Sequence, residues 1–121
     1  MNLITRWEIP MRTISEANCS EHWSKKNKRH DAQKKWIKIY FKNEPKKPDL
    51  PCKVKLTRIG KKELDKEDNL PVSLKWVKDA IADCLISGLA PGRADDDKRL
   101  SWEYDQQIGD DYGVIVEFFS L

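Results

Sequence analysis

Apolar and polar residues alternate with a period of two in four segments of the chain, and this alternation predicts four β-strands. In residues 52–59, Val54 and Leu56 alternate with Lys53 and Lys55, as in a strand that buries one face. The other predicted strands cover residues 3–14, with an edge or a break at Pro10, residues 99–106 and residues 112–119. A short turn at 108–111 separates the last two strands, which predicts that they form a β-hairpin.

Two further segments carry apolar residues at the spacing of an α-helix. The first extends from a predicted N-cap at Ser20 to Lys42, and the second extends from the region 69–73 to Gly88. Four tryptophans are expected between these helices and the sheet: Trp23, Trp36, Trp76 and Trp102. The six elements predict an α+β fold, a single domain over residues 1–121 in which two helices pack on one face of a mixed sheet of about four strands.

The composition narrows the class of protein. A chain of 121 residues has room for one domain, and it contains no apolar run near the ~18 residues that a membrane span needs. Cys19, Cys52 and Cys84 are odd in number and form no CxxC pair, which argues against a disulfide framework and a zinc site. We therefore expect a cytoplasmic protein with no membrane partner.

Charge is divided unevenly along the sequence. The net charge is only +3, but residues 1–60 hold 15 basic and 6 acidic side chains, whereas residues 61–121 hold 8 basic and 14 acidic ones. A basic half joined to an acidic half predicts a surface for a polyanion beside a carboxylate-rich centre.

The basic half contains a lysine-rich helix that has almost no acidic residue to pair with. Its candidate DNA-binding residues are Lys25, Lys26, Lys28, Arg29, Lys34 and Lys35. Such one-sided charge on a helix is typical of nucleic-acid binding. The alternative interpretation is the solvated face of an ordinary amphipathic helix.

The acidic half contains two clusters of carboxylates, at residues 65–68 and 95–97, one before and one after the second helix. The loop 88–98 is long enough to return along that helix and bring the two clusters together. Converging carboxylates without His or Cys suit a hard cation such as Mg²⁺, and two solvated loops are the alternative. Lys75 and Asp79, four residues apart, form either a surface ion pair or a lysine placed beside a phosphate.

The order of these motifs resembles the RusA family of Holliday-junction resolvases, in particular its small phage-type members. The resemblance covers nearly the whole chain, and it is the order of the short matches that is specific. These matches are residues 21–23 before the basic helix, the strand 54–58, the segments 64–70 and 74–83, the pair Asp96-Asp97 and the strand 102–106.

The resemblance implies a Mg²⁺-dependent endonuclease that cuts branched DNA, such as a four-way junction, in recombination and repair, and that works as a homodimer. In the family, an Asp-x-Asp-Asn motif and a later Asp bind the metal, and a Lys on the following helix is needed for cleavage. The matching residues of this chain are Asp68, Asn69, Asp97 and Lys75, with Asp79 at the position of a further acid. In the implied mechanism, the metal lowers the pKa of a bound water and Lys75 stabilises the developing charge.

One position departs from the family motif, because Lys66 stands where the first Asp belongs, three residues before Asn69. Asp65 supplies the missing metal ligand if the loop bulges by one residue, and Glu67 is the other candidate. A lysine at a ligand position opposes Mg²⁺ by like-charge repulsion, so the alternative function is a dimer that binds DNA without cutting it. A third interpretation is a protein-interaction domain with no role in DNA binding.

Overall fold

The computed structural model describes residues 2–15, 22–90 and 92–121, which form four strands and three helices. In chain order these are β1 (Leu3–Ile9), α1 (Trp23–Asn43), β2 (Cys52–Gly60), α2 (Asn69–Ser73), α3 (Lys75–Leu85), β3 (Leu100–Ile108) and β4 (Gly113–Ser120). The predicted α+β fold is confirmed, with all four strands in one mixed sheet. The predicted N-cap at Ser20 lies outside the described residues. Within them, α1 follows His22, whose side chain accepts a hydrogen bond from the backbone N–H of Ser24.

The second predicted helix is divided at Leu74 into α2 and α3. The Ser73 hydroxyl donates to the carbonyl of Leu70 at 2.7 Å, and the Leu74 N–H donates to the carbonyl of Pro71, three residues back, at 3.1 Å. A side-chain hydroxyl that donates to a backbone carbonyl of the helix disturbs the regular hydrogen bonds between residues four apart. A backbone hydrogen bond between residues three apart disturbs them as well. The helix is therefore interrupted just before Lys75.

The strand order of the sheet is β1-β4-β2-β3, and it shows that the predicted hairpin is wrong. β2 lies between β3 and β4, parallel to the first and antiparallel to the second. The connection from β3 to β4 crosses the end of β2, where the Gly109 N–H donates to the Gly60 carbonyl at 3.0 Å. It therefore spans two strand spacings, about 9.6 Å, rather than the single spacing that a hairpin turn joins.

The two longer helices, α1 and α3, pack on one face of the sheet. The core on this face includes Leu56 of β2, Phe118 of β4, Ile37 of α1 and Ile81 of α3, all of them buried. Trp7 of β1 packs its ring edge-on against Phe118, with 4.8 Å between the ring centroids. The alternating pattern of the strands thus buries the face that the sequence predicts.

The predicted position of the tryptophans, between the helices and the sheet, is wrong for Trp23, Trp36 and Trp76. Trp23 and Trp36 are exposed, at 67% and 36% of their surface. Trp76 stacks on His30 between α1 and α3, with 4.0 Å between the ring centroids, and Trp102 is half-buried on β3. The reason is that α1 buries a different and partly polar side, formed by His30, Gln33 and Ile37.

The opposite face of the sheet carries a ladder of alternating charge. Lys53 Nζ lies 3.0 Å from a carboxylate oxygen of Glu103, and Lys55 Nζ lies 3.7 Å from Glu103 and 3.5 Å from Asp105. Cross-strand pairs of opposite charge stabilise neighbouring strands. These two lysines are therefore neutralised locally.

Candidate nucleic-acid interface and acidic clusters

Helix α1 presents a row of lysines on its exposed side. The helix contains eight basic residues and one acidic residue, Asp31. We call its exposed lysines the α1 basic face, which consists of Lys25, Lys28, Lys35, Lys38 and Lys42. Because the opposite side of the helix is buried in the core, these side chains project into solvent.

All six predicted DNA-binding residues lie on α1, but they are not equally accessible. Lys26, Arg29 and Lys34 are half-buried, whereas the other three are exposed. Lys34 Nζ lies 5.4 Å from the centre of the Trp76 ring, a cation–π contact that directs it toward α3. The structure adds Lys38 and Lys42 to the predicted surface. The signal for both was present in the sequence, since they follow Lys35 at helical spacings of three and seven residues.

The first acidic cluster forms the start of α2. The Asp65 carboxylate accepts hydrogen bonds from the backbone N–H of Asn69 at 3.1 Å and from the side-chain amide of Asn69 at 3.4 Å. The Asn69 side-chain oxygen in turn accepts a hydrogen bond from the Ser15 hydroxyl at 2.6 Å. Asp65 and Asn69 are therefore engaged in holding the start of the helix, while Lys66, Glu67 and Asp68 are exposed.

The second acidic cluster is tied to the arginine that follows it. Arg99 donates through Nε and Nη2 to the two carboxylate oxygens of Asp97, each at 3.0 Å, and its backbone N–H donates at 2.9 Å. The side-chain hydrogen bonds from Arg99, followed by the backbone bond, lower the pKa of Asp97 to about 2. The Asp97 carboxylate is therefore ionised and already neutralised by its neighbour.

The two clusters are attached to opposite ends of β3, and the metal site of Asp65, Glu67, Asp68 and Asp97 stays a prediction. Leu64, next to the first cluster, forms two hydrogen bonds to the side chain of Gln106, at 2.9 and 2.7 Å. The carbonyl of Asp97 accepts a hydrogen bond from the N–H of Leu100, at the other end of β3, at 3.0 Å. The strand between Leu100 and Gln106 spans ~20 Å at 3.3 Å per residue.

The part of the chain that the structure describes contains no group of three or more His, Cys, Asp or Glu residues placed to hold a metal ion. Mg²⁺ requires oxygen ligands at ~2.0–2.1 Å in near-octahedral geometry. The described carboxylates are not grouped in this way in the structure.

The loop that follows α3 brings a different pair of acids together. Asp79 on α3 is 7% exposed, and burial raises the pKa of its carboxyl group, with the negative charge of Asp95 raising it further. The loop is held over α3 because the Asp83 carboxylate accepts a hydrogen bond from the Gly92 N–H at 3.2 Å. At its other end, the Trp102 indole N–H donates to the Asp95 carbonyl at 2.9 Å. We call Asp79 and Asp95 the α3 acidic pair.

Lys75 lies one helical turn before Asp79, and its positive charge opposes the rise in the pKa of Asp79. Lys75 is exposed whereas Asp79 is buried, so the surface ion pair that the sequence allowed does not form between these two described residues. Asp95 belongs to the predicted acidic cluster at 95–97 but is not among the predicted metal ligands. Its only signal was its place at the start of the run 95–97, which is also typical of a solvated loop.

Comparison with known proteins adds no relative. No protein-family model matches the chain, and no curated protein matches it significantly.

In the residues that the structure describes, no helix combines the length and the apolar character needed to cross a membrane. The longest helix, α1, has 21 residues, of which eight are basic.

Proposed function

We propose that this protein binds nucleic acid through the α1 basic face. The observation that supports the proposal is a row of five exposed lysines on a helix with a single acidic residue. Lys28, Lys35 and Lys42 follow one another every seven residues, which places them ~10.5 Å apart along one side of the helix. Lysines arranged in this way attract the phosphate backbone and release its condensed counterions. A protein with this function works in the compartment that contains the DNA. In a cell without a nucleus, that compartment is the cytoplasm.

The experiment is the salt dependence of DNA binding, followed by the fluorescence anisotropy of a labelled duplex between ~50 and ~200 mM salt. If about five phosphates are neutralised, the logarithm of the binding constant falls against the logarithm of the salt concentration with a slope of about −4.5. A slope of zero would remove nucleic acid from the function of this protein.

A matched pair of variants locates the surface. Lys28→Gln, Lys35→Gln and Lys42→Gln combined remove three contacts, so the slope becomes shallower by about 2.7. The control variant, Lys53→Gln with Lys55→Gln, removes two lysines from the opposite face of the sheet, where acidic residues already neutralise them. A change in slope for the control that is two thirds of the change for the triple variant would show that binding follows net charge and not the α1 basic face.

A second candidate is the junction endonuclease that the resemblance to the RusA family implies. The observation that favours it is the grouping of Lys75 with the α3 acidic pair, on the layer of helices that also carries the α1 basic face. The exposed Lys75 ammonium is suited to offset charge on a phosphate. The buried Asp79 carboxyl group, with its raised pKa, is suited to hold and donate a proton.

This candidate is tested by incubating a synthetic four-way junction with the protein, with and without Mg²⁺, beside a linear duplex. Cleavage of the junction that is lost in Lys75→Ala, with junction binding retained, supports it. Two matched cuts in a two-fold symmetric junction need two matched sites. The candidate therefore includes a homodimer of the 14.2 kDa chain, which light scattering measures. Junction binding without cutting in every arm leaves DNA binding as the function.

A further inference from the structure

A shallow groove of about 250 Å³ lies on α1 beside the lysines, lined by Ala32, Lys35, Trp36 and Ile39. The large apolar side chains in this groove face solvent, since Trp36 is 36% exposed and Ile39 is 42% exposed. Neither packs in the core, which uses the other side of the helix. An exposed tryptophan in such a place indicates a contact surface rather than a packing residue.

The Trp36 ring is held in place from one side. Its centroid lies 6.1 Å from that of Tyr40, with 53° between the ring planes. The Tyr40 hydroxyl donates to the carbonyl of Glu8 at 3.0 Å, which anchors Tyr40 on the edge strand β1. A ring that is already oriented loses little conformational freedom when a flat partner stacks on it.

Positive charge surrounds the groove. Lys28 precedes Ala32 by four residues and Lys35 precedes Ile39 by four residues, so both lysines lie on the same side of α1 as the apolar side chains. Lysines on both sides of the groove oppose a second copy of this helix, which would bring its own lysines into contact with them. The charge instead favours a negatively charged occupant.

The size of the groove narrows the class of that occupant. A partner helix needs apolar anchors over several turns, and a stable protein interface covers roughly 800 Å² on each side. Here the apolar part is confined to Ala32, Trp36 and Ile39, two turns of one helix. A flat aromatic group attached to a phosphate chain matches both the small groove and the surrounding charge.

We infer that Trp36 stacks on an unpaired base of single-stranded nucleic acid, while Lys28 and Lys35 contact its phosphates. The inference rests on the proposed function and names the form of nucleic acid that the α1 basic face prefers. In a duplex, both faces of each base are covered by the neighbouring bases. In a single strand, a base face is free to stack on an aromatic side chain. Stacking of this kind does not depend on the sequence of the strand.

The test compares a fluorescein-labelled oligothymidine with a duplex of the same length, bound to the full chain at one salt concentration. Trp36→Ala is expected to weaken binding of the single strand about 5- to 150-fold, the loss that one stacked base represents. Duplex binding is expected to change less than about twofold. Trp36→Phe keeps an aromatic face and is expected to bind the single strand nearly as well as the wild type.

Ile39→Ala is the matched control, because Ile39 lines the same groove and is exposed to a similar degree. A loss of single-strand affinity in Ile39→Ala as large as in Trp36→Ala would show a general apolar contact and overturn stacking. Equal losses for single strand and duplex in Trp36→Ala, with unchanged thermal unfolding, would overturn it as well. If the wild type binds neither form, the proposed function fails. If it binds the duplex and Trp36 makes no difference to the single strand, this inference fails alone.

Discussion

A buried guanidinium joins three segments of the chain at the end of β2. Arg58 is 6% exposed, and it donates through Nε to the carbonyl of Thr13 at 3.3 Å and through Nη1 to the carbonyl of Lys62 at 3.1 Å. A side chain added at Gly60 would place its Cβ 2.6 Å from this guanidinium, so the glycine leaves the space that Arg58 occupies. Arg58 therefore fixes the segments before α1 and after β2 to the sheet.

Replacing Arg58 by methionine is expected to destabilise the protein. Arg58→Met keeps much of the packing but leaves the two carbonyls without their donor, which costs roughly 2 kcal/mol of unfolding free energy. Urea denaturation measures this loss. The control is Arg6→Met, which removes an exposed pair with Glu8 and should cost less than about 1 kcal/mol. Equal midpoints for the two variants would show that the contacts of Arg58 do not hold in solution.

The buried Asp79 carboxyl group should reduce stability at neutral pH. Burial and the charge of Asp95 raise its pKa above the usual 3.8, so the folded state holds this proton to a higher pH than the unfolded state does. The contribution of Asp79 to stability is then fully present below about pH 3.8 and is lost as the pH rises through its raised pKa. Asp79→Asn removes this penalty, and we expect it to unfold at a higher urea concentration than the wild type at pH 7.

The pH-dependent advantage of Asp79→Asn should disappear as the pH falls well below 3.8, where the wild-type carboxyl group is protonated in both states. Asp83→Asn is the control for this variant, because Asp83 is held by the Gly92 N–H and should gain no stability on substitution. A gain in Asp79→Asn that does not change with pH would contradict the assignment to a buried ionised group.

Local pattern at the scale of the elements predicts the strands well and their pairing poorly. The alternation in residues 52–59 correctly predicts β2 and its buried face. The turn between β3 and β4 has the length and composition of a hairpin turn, and no local signal shows that a third strand lies between them. The split of the second helix depends on the Ser73 hydroxyl, which donates to the carbonyl of Leu70. A serine inside a helix does not always form this hydrogen bond, so the sequence alone does not predict the split.

The central position of β2 leads to a prediction about hydrogen exchange. β2 pairs along its length with both β3 and β4, whereas β1 and β3 are the edges of the sheet. Backbone amides of a strand that is paired on both sides exchange through global unfolding, and those of an edge strand exchange through smaller openings. We therefore expect the amides of Val54 and Leu56 to be among the slowest. Slow exchange in β3 and β4 with fast exchange in β2 would contradict this strand order and support a hairpin of β3 and β4.

The direction of the chain separates the segments that carry the two acidic clusters. β2 and β3 are parallel and joined through α2 and α3, so the residues just after β2 and just before β3 lie at opposite ends of the sheet. The cluster at 65–68 follows β2 and the cluster at 95–97 precedes β3. The hairpin was wrong because strand pairing is a long-range property, and the shared metal site of the two clusters stays a prediction. The α1 basic face was predictable, because it depends on one helix and its charge.

At the scale of the whole molecule, the positive and the negative surfaces are neighbours. α1 and α3 pack side by side, with Trp76 of α3 stacked on His30 of α1. Packed helices lie ~8–10 Å apart, which is close to the Debye length of ~10 Å at 0.1 M salt and well within the ~30 Å at 0.01 M. On the proposed function, the acidic loop after α3 therefore repels DNA on the α1 basic face at low salt but much less at high salt.

Neutralising two of these acids should tighten DNA binding in a salt-dependent way. A unit charge ~10 Å from a phosphate in water costs about 0.4 kcal/mol, so Asp95→Asn with Asp96→Asn should strengthen binding several-fold at ~10 mM salt. The effect should nearly vanish at ~300 mM salt, where screening is strong. Asp97 is left in place because Arg99 neutralises it.

Titration of a labelled duplex against both proteins at the two salt concentrations measures the difference. If affinity does not change at low salt, the DNA lies on the β1 side of α1, away from Lys75 and Asp79, and the endonuclease candidate loses its site.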